Sequence, residues 1–212
     1  MITGLFSILI LLLLLFLTIS IHEFSHGYIA DRLGDPTARL SGRLSFNPLA
    51  HYDPIGSTLL LLGLFGFGPV VGWAKPVPID PFNFKNPRRD SGLVALAGPA
   101  ANLIMAFLVA LIIRSFPFFF LNTLLIHFLE LNVGLAVFNL IPIGPLDGFK
   151  VVLGFLPRDL ALEWEQSESI GMFLLLFLLF FPLPFFSLSN FLSTVISLVI
   201  RLLLGSSFVS II

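Results

Sequence analysis

Cysteine is absent from the 212 residues. That excludes disulfides and thiolate ligands, so any metal must be held by His, Asp or Glu. Charge is scarce as well: Asp, Glu, Lys and Arg together make 11% of the chain, and the net charge is −1. Such a balance offers no basic surface for nucleic acid. The marks of a cleaved leader are also lacking. Nothing basic precedes the apolar run from Ile2 to Ile21, the run is long for a leader core, and no clear small-residue cleavage site follows. A retained helix is the expectation. There is no internal repeat, no low-complexity linker and no sign of an appended soluble domain.

What is present is apolar surface. Apolar residues form 57% of the sequence, and 25 residues are phenylalanine. A soluble body of this size would struggle to hide them, whereas a bilayer lets the outer surface be apolar too. The uncharged run 2–21 suffices to cross a hydrocarbon core of roughly 30 Å. The first helix is predicted over about Thr3 to Leu33, stopped by Gly34-Asp35-Pro36. A short strand region is expected within 37–46. Segment 55–73 is apolar but rich in glycine, a poor helix composition. Spanning helices are predicted at Leu93–Ile113 and Leu121–Ile141. An amphipathic lead-in at Pro157–Ser169 precedes Met172–Phe181, and a last helix covers Asn190–Leu204. The Phe116–Phe120 cluster suits a membrane interface.

His22-Glu23-Phe24-Ser25-His26 carries the chemistry. Residues four apart on a helix project from one face, so both imidazoles can reach one tetrahedral zinc. Glu23 stands where it can handle a proton of a zinc-activated water. The alternative is a pair of packed histidines. Lipid-embedded ionisable groups are costly and usually functional, which favours the metal. Two histidines leave a catalytic zinc one protein ligand short. Asp147 is the candidate third, directly after the break made by Pro142, Gly144 and Pro145; the alternative is a turn residue before Gly148.

If Asp147 reaches the same metal, an even number of crossings separates it from the first helix. The helices at 93–113 and 121–141 supply two, so 55–73 should enter and return as a re-entrant loop. Such backbone is tolerated at membrane depth beside protein or a wet cavity. Arg32, Arg39, Arg43, Lys75, Lys85, Arg88, Arg89, Lys150 and Arg158 then share one side, Arg201 is expected to join them, and Arg114 falls opposite. That asymmetry marks the cytoplasmic face. The expected architecture is mainly α and polytopic, with about five transmembrane helices, a short strand region and a re-entrant loop after the first helix. The C-terminus is expected in the cytoplasm.

The HEFSH motif, Asn47-Pro48-Leu49-Ala50-His51-Tyr52-Asp53-Pro54-Ile55-Gly56, Gly98-Pro99-Ala100-Ala101-Asn102, and Asn139-Leu140-Ile141-Pro142 running into Leu146-Asp147-Gly148 together resemble the site-2 protease family of intramembrane metalloproteases (peptidase family M50). The resemblance reaches to about Leu156, in the compact form without PDZ or CBS domains. It implies His22, His26 and Asp147 as ligands of one Zn2+, Glu23 as catalytic acid/base, and a transmembrane protein as substrate within the lipid bilayer of the cell. It favours a substrate-binding or site-ordering role for Asn139. Asn102 is read either that way or as a helix-to-helix hydrogen bond. His51 reads best as a loop cap, and His127 with Glu130 as an i, i+3 pair. The expected organisation is one integral-membrane unit over 1–212, with core motifs in 1–156 and C-terminal helices in 157–212. A zinc or proton transporter and a catalytically inactive membrane adaptor stand as alternatives.

Overall fold

The computed structural model describes residues 2–67, 72–116, 121–181 and 187–205. Among these residues nine α-helices follow one another, with no strand. They are α1 (Ile2–Leu33), α2 (Thr37–Leu40), α3 (Pro54–Leu64), α4 (Pro87–Ser115), α5 (Asn122–Asn139), α6 (Asp147–Phe155), α7 (Arg158–Gln166), α8 (Glu168–Phe180) and α9 (Leu188–Leu204).

The apolar run makes α1 almost inevitable, and three of its hydroxyls serve the helix itself. Thr18, Ser20 and Ser25 donate their hydroxyls to the carbonyls of Leu14, Phe16 and Ile21, at 2.9, 2.7 and 2.7 Å. A hydroxyl that bonds its own helix needs no water. Gly34, at φ 113°, then turns the chain out of the helix. α4 starts earlier than its apolar run suggests. Pro87 occupies its first position, and the Asp90 carboxylate accepts from Asn86 N–H at 3.0 Å, closing the first turn.

Among the described residues, α1 and α4 are the two helices long and apolar enough to cross a membrane by length and composition. Much of α4 that faces away from its neighbours is apolar and exposed, with Ile104, Phe107, Leu108 and Leu111 on the outside. That is an outer surface built for lipid. α5 has 18 residues and carries His127, Glu130 and Asn132, which dilute its apolar character. His127 and Glu130 pair across one exposed turn at 3.2 Å, as expected.

α4 lies at the centre, packed on α1, α5, α6 and α9. Ala106, Val109, Ala110 and Ile113 of α4, Leu129 and Val133 of α5, and Leu204 of α9 form the main core. A smaller cluster joins Ala30 of α1 to Val94 of α4 and Phe84. α4 and α6 meet glycine to glycine, since a Cβ on Gly92 would lie 2.9 Å from the Cα of Gly154. Trp164 of α7 donates its indole N–H to Phe149 O at 3.1 Å and stacks on that ring.

Three expectations are corrected or refined. The strand region within 37–46 is not a strand. The Asp35 carboxylate accepts from Thr37 N–H and starts α2, and the N–H groups of Arg43 and Leu44 both reach back to Ala38 O, at 2.9 and 3.2 Å. Local capture of these donors closes a turn and leaves nothing for a ladder. The glycine-rich segment 55–73 opens as the helix α3, because Asp53 caps the N–H groups of Ile55 and Gly56 and Pro54 sits at the first position. The chain does come back. A Cβ on Gly56 would lie 2.2 Å from Trp73 O, so the returning chain touches the start of α3. Residues 68–71 of that segment, with Pro69, and residues 117–120 of the phenylalanine cluster lie outside the described residues.

The third concerns the last helix. Leu188 packs with Leu146 and Leu175 near the end of α5, whereas Leu203 O accepts from Arg114 Nη1 at 3.3 Å. α9 therefore runs antiparallel to α5 and ends beside the C-terminal end of α4. Arg201 shares the end of the bundle that holds Arg114, not the end that holds the other basic residues. Charge counting could not show this, because the direction of α9 depends on whether α8, only 13 residues long, crosses or turns back.

Candidate metal centre

α1 presents His22 and His26 one turn apart toward α4. Their rings meet edge to face, with centroids 4.6 Å apart. The His22 Nδ1–H donates to Asn102 Oδ1 at 2.6 Å, and the His26 Nδ1–H donates to Val94 O at 2.7 Å. A carbonyl oxygen can only accept, so both Nδ1 atoms carry the proton and both Nε2 atoms keep a lone pair in the neutral ring.

Those two Nε2 atoms converge on one carboxylate oxygen. Asp147 Oδ2 lies 3.0 Å from His22 Nε2 and 3.3 Å from His26 Nε2. One donor atom from each residue lies within 4.8 Å of the others. Ligands of one tetrahedral zinc, at bonds of about 2.0–2.1 Å, stand roughly 3.3 Å apart. The donor set therefore fits zinc in kind and in spacing: two neutral imidazoles with their far nitrogens already bonded, and one carboxylate. Both histidines are buried and Asp147 is partly open.

Asp147 arrives as the first residue of α6. A Cβ on Gly148 would lie 2.3 Å from Leu140 O and 2.6 Å from Ile141 O. Only glycine lets this first turn sit on the last carbonyls of α5, and that contact aims Asp147 back at α1.

Gly98 stands in the Gly98–Asn102 motif, where the sequence assigns it no role of its own. A Cβ there would lie 2.4 Å from His26 Nε2 and 2.7 Å from His22 Cε1. The missing side chain is the space in which the two imidazoles meet. Its signal is the i, i+4 spacing to Asn102, which puts both on the face of α4 turned to the histidines. Pro99, next to it, has no N–H to give the helix, so the carbonyl of Ala95 loses its helical donor.

Asn102 is wholly buried. It accepts from His22 and donates to Thr18 O at 3.2 Å and to Asn132 Oδ1 at 2.9 Å. Asn132 in turn donates to Thr18 Oγ1 at 3.2 Å and to Phe128 O at 2.8 Å. Thr18 O can only accept, so it fixes the Asn102 amide: Nδ2 faces that carbonyl and Oδ1 is left for the imidazole N–H. Asn139, by contrast, donates to Leu135 O within α5 at 3.0 Å. Nothing in the hydrogen-bond pattern joins it to the three clustered side chains.

Glu23, beside the first histidine, accepts from Val77 N–H at 2.9 Å through Oε2. His51 is buried in the loop layer; its Nε2–H donates to Ser45 O at 2.8 Å, while its own carbonyl accepts from Lys75 N–H at 2.9 Å. It is a loop clamp.

Comparison with known proteins agrees with this chemistry. Residues 10–124 match the family model described as peptidase family M50. The chain is 36% identical over 183 residues to YwhC of Bacillus subtilis (strain 168), a zinc metalloprotease by name, covering 82% of this chain and 81% of that one. It is 29% identical over 174 residues to Rip2 of Mycolicibacterium smegmatis, also a zinc metalloprotease by name, covering 78% of this chain and 64% of Rip2. A shorter match of 64 residues, 39% identical, joins it to MJ0611 of Methanocaldococcus jannaschii, covering 30% of this chain and 34% of that one. No solved structure matches the chain. The transporter and adaptor alternatives gain nothing from these relatives, whose names are those of zinc proteases. With two neutral imidazoles and a carboxylate gathered for zinc inside an apolar helical body, the chain belongs to peptidase family M50, the site-2 protease family of intramembrane zinc metalloproteases.

Proposed function

We propose that His22, His26 and Asp147 are the protein ligands of the catalytic Zn2+, that Glu23 is the general acid/base, and that Asn102 orders the site rather than touching substrate. The observation that carries this is the double commitment of the Nδ1 atoms, which leaves both Nε2 lone pairs facing Asp147 Oδ2. A zinc ion held there supplies Lewis acidity, polarising the scissile carbonyl and making water nucleophilic at neutral pH. Glu23 accepts the proton of the attacking water and returns it to the leaving amine as the C–N bond breaks. Asn102 holds His22 in one tautomer and one orientation. Asn139 is assigned a role near the substrate from its place in the NLIP motif alone.

The substrate is a transmembrane segment of another protein, unwound far enough to expose a carbonyl. We assign the whole of 1–212 to one membrane unit, with catalysis in 1–156 and helices 157–212 as its flank. α1, α4, α5 and α9 cross the bilayer, while α3 and α8 enter and turn back. The side that holds Arg32, Arg43, Lys75, Arg88 and Lys150 is the cytoplasm by its excess of basic residues. The centre opens toward it, and both chain ends lie outside, in a multi-pass protein of the cell membrane.

Two experiments test this. Purified Glu23→Gln should retain zinc and lose cleavage of a model membrane substrate by about 10³-fold or more; wild-type turnover would refute the mechanism. A reporter fused at the C-terminus should signal from outside the cell and one in the loop near Arg88 from the cytoplasm. Both on the same side would break the four-crossing arrangement.

A further inference from the structure

Glu23 is held by an arm built for the purpose. After α3, residues 72–80 form neither helix nor strand, and they cross beside α1, where Val77 meets Glu23 and Gly27. Val77 stands between Pro76 and Pro78. Neither proline has a backbone N–H, so Val77 carries the one donor of the three residues. Its position before Pro78 also restricts it to extended conformations. That single N–H points at Glu23 Oε2, 2.9 Å away.

The arm is fixed from three directions. Lys75 N–H donates to His51 O at 2.9 Å. Arg43 donates to the carbonyls of Lys75 and Pro76 at 2.7 and 3.1 Å. The Val77 side chain is buried against Gly27, one helical turn beyond Glu23, where a Cβ would lie 3.2 Å from Val77 Cγ1 and 3.1 Å from Ala38 Cβ. Glu23 and Gly27 thus share one face of α1: the glycine admits the arm, and the carboxylate receives its N–H.

From this geometry we infer that Pro76-Val77-Pro78 is a positioning device for the catalytic carboxylate. The Val77 N–H anchors Oε2, fixes the carboxylate rotamer and leaves Oε1 for the proton transfer. An unanchored glutamate would sample several rotamers and present an oxygen to the water only part of the time. Val77 is a positioning residue, and its effect belongs to turnover and not to substrate affinity or metal binding. The inference rests on Glu23 being the acid/base.

The test uses the zinc-loaded full chain and a membrane substrate. Val77→Pro deletes the N–H. It should lower kcat about tenfold to a hundredfold, the range for a lost hydrogen bond to a charged group, with KM within about twofold and zinc content equal to wild type. Val77→Ala keeps the N–H and loses only packing; its kcat should stay within about threefold. A backbone ester at the Pro76–Val77 link removes the same N–H without a new ring, and decides the matter if Val77→Pro does not load zinc. Wild-type kcat in the ester variant, or a loss in Val77→Ala as large as in Val77→Pro, would overturn the inference. Glu23→Gln run alongside separates the two levels: full activity there defeats the acid/base reading itself, whereas a dead Glu23→Gln with a normal ester variant defeats only the arm.

Discussion

Two buried polar knots sit on α1, and they are built from different chemistry. The inner knot joins Thr18, His22, Asn102 and Asn132 through neutral hydroxyl, imidazole and amide groups. The outer knot centres on the Asp35 carboxylate, just past the end of α1. It accepts from Thr37 N–H at 3.1 Å, the Thr37 hydroxyl, Asn83 Nδ2 at 2.8 Å and Asp80 N–H at 2.8 Å. Asp35, Asn102 and Asn132 are all fully buried. The difference lies in where the charge can be tolerated. Within the helical bundle neutral donors and acceptors close on one another without the desolvation cost of an ion. Beyond the spanning segment, four donors, two from Thr37 at the start of α2 and two from Asp80 and Asn83, compensate a full carboxylate and bind both segments to the end of α1. The inner knot orients an imidazole. The outer one serves architecture.

That contrast can be broken at several points, and the effects should fall in a definite order. Asp147→Ala removes a ligand and should cost about 10³-fold or more in activity, with zinc lost on dialysis; metal analysis of the purified protein decides it. Gly98→Ala puts a methyl where His26 Nε2 lies only 2.4 Å away. It should weaken zinc binding by more than about tenfold, because α4 backbone must move to relieve the overlap. Wild-type affinity in a chelator competition would show that the close approach is not needed.

Asn102→Leu deletes the acceptor of His22 while keeping the volume, and should weaken zinc about 10- to 100-fold, the usual cost of losing such a partner. Thr18→Val, one bond further out, should cost less than Asn102→Leu; equal losses would mean the knot matters only as packing. Asp35→Asn should leave zinc affinity and kcat unchanged while lowering stability by about 1–3 kcal/mol. A change in zinc affinity there would erase the distinction between the knots.

The smallest effect is in pH. Burial raises the carboxyl of Asp35, but hydrogen bonds from Thr37, Asp80 N–H and Asn83 outweigh it and hold the group below its ordinary value of 3.8. A depressed carboxylate stabilises the fold at pH above its unfolded value and loses that contribution as pH falls through the folded one. The stability gap between wild type and Asp35→Asn should therefore be constant near neutrality and shrink only in the acid range below about pH 4. Thermal melts in detergent at several pH values would show it. A gap that closes above pH 6 would assign the effect to another group.

Much of the centre was legible in the residues. The i, i+4 histidines, Glu23 beside them and the absence of cysteine restrict the metal chemistry before any coordinates are known. Asp147, after a proline-broken helix end, reads equally as a ligand or a turn residue, and the resemblance to site-2 proteases is what singles it out. The apolar run and the buried polar groups mark membrane helices, and most helix positions follow. Other features were not legible. The helix α6 carrying Asp147 is short, and its first turn depends on Gly148 meeting α5. The turn at 37–46 reads as a strand because its alternation is genuine, yet Asp35 and the Ala38 carbonyl capture its donors. Arg201 was assigned by charge to the wrong end, since a helix of 13 residues before α9 leaves the crossing count open.

By itself the sequence determined the family, the ligand types and the location of the chemistry inside an apolar body, because those depend on side-chain chemistry and on local helical spacing. Only the tertiary structure decided which nitrogen of each histidine faces Asp147, why position 98 is a glycine, what holds Glu23, and which way the last helix runs. Each of these depends on a contact between residues far apart in the chain, and helical periodicity carries no information about which distant atom will fill the space a residue leaves.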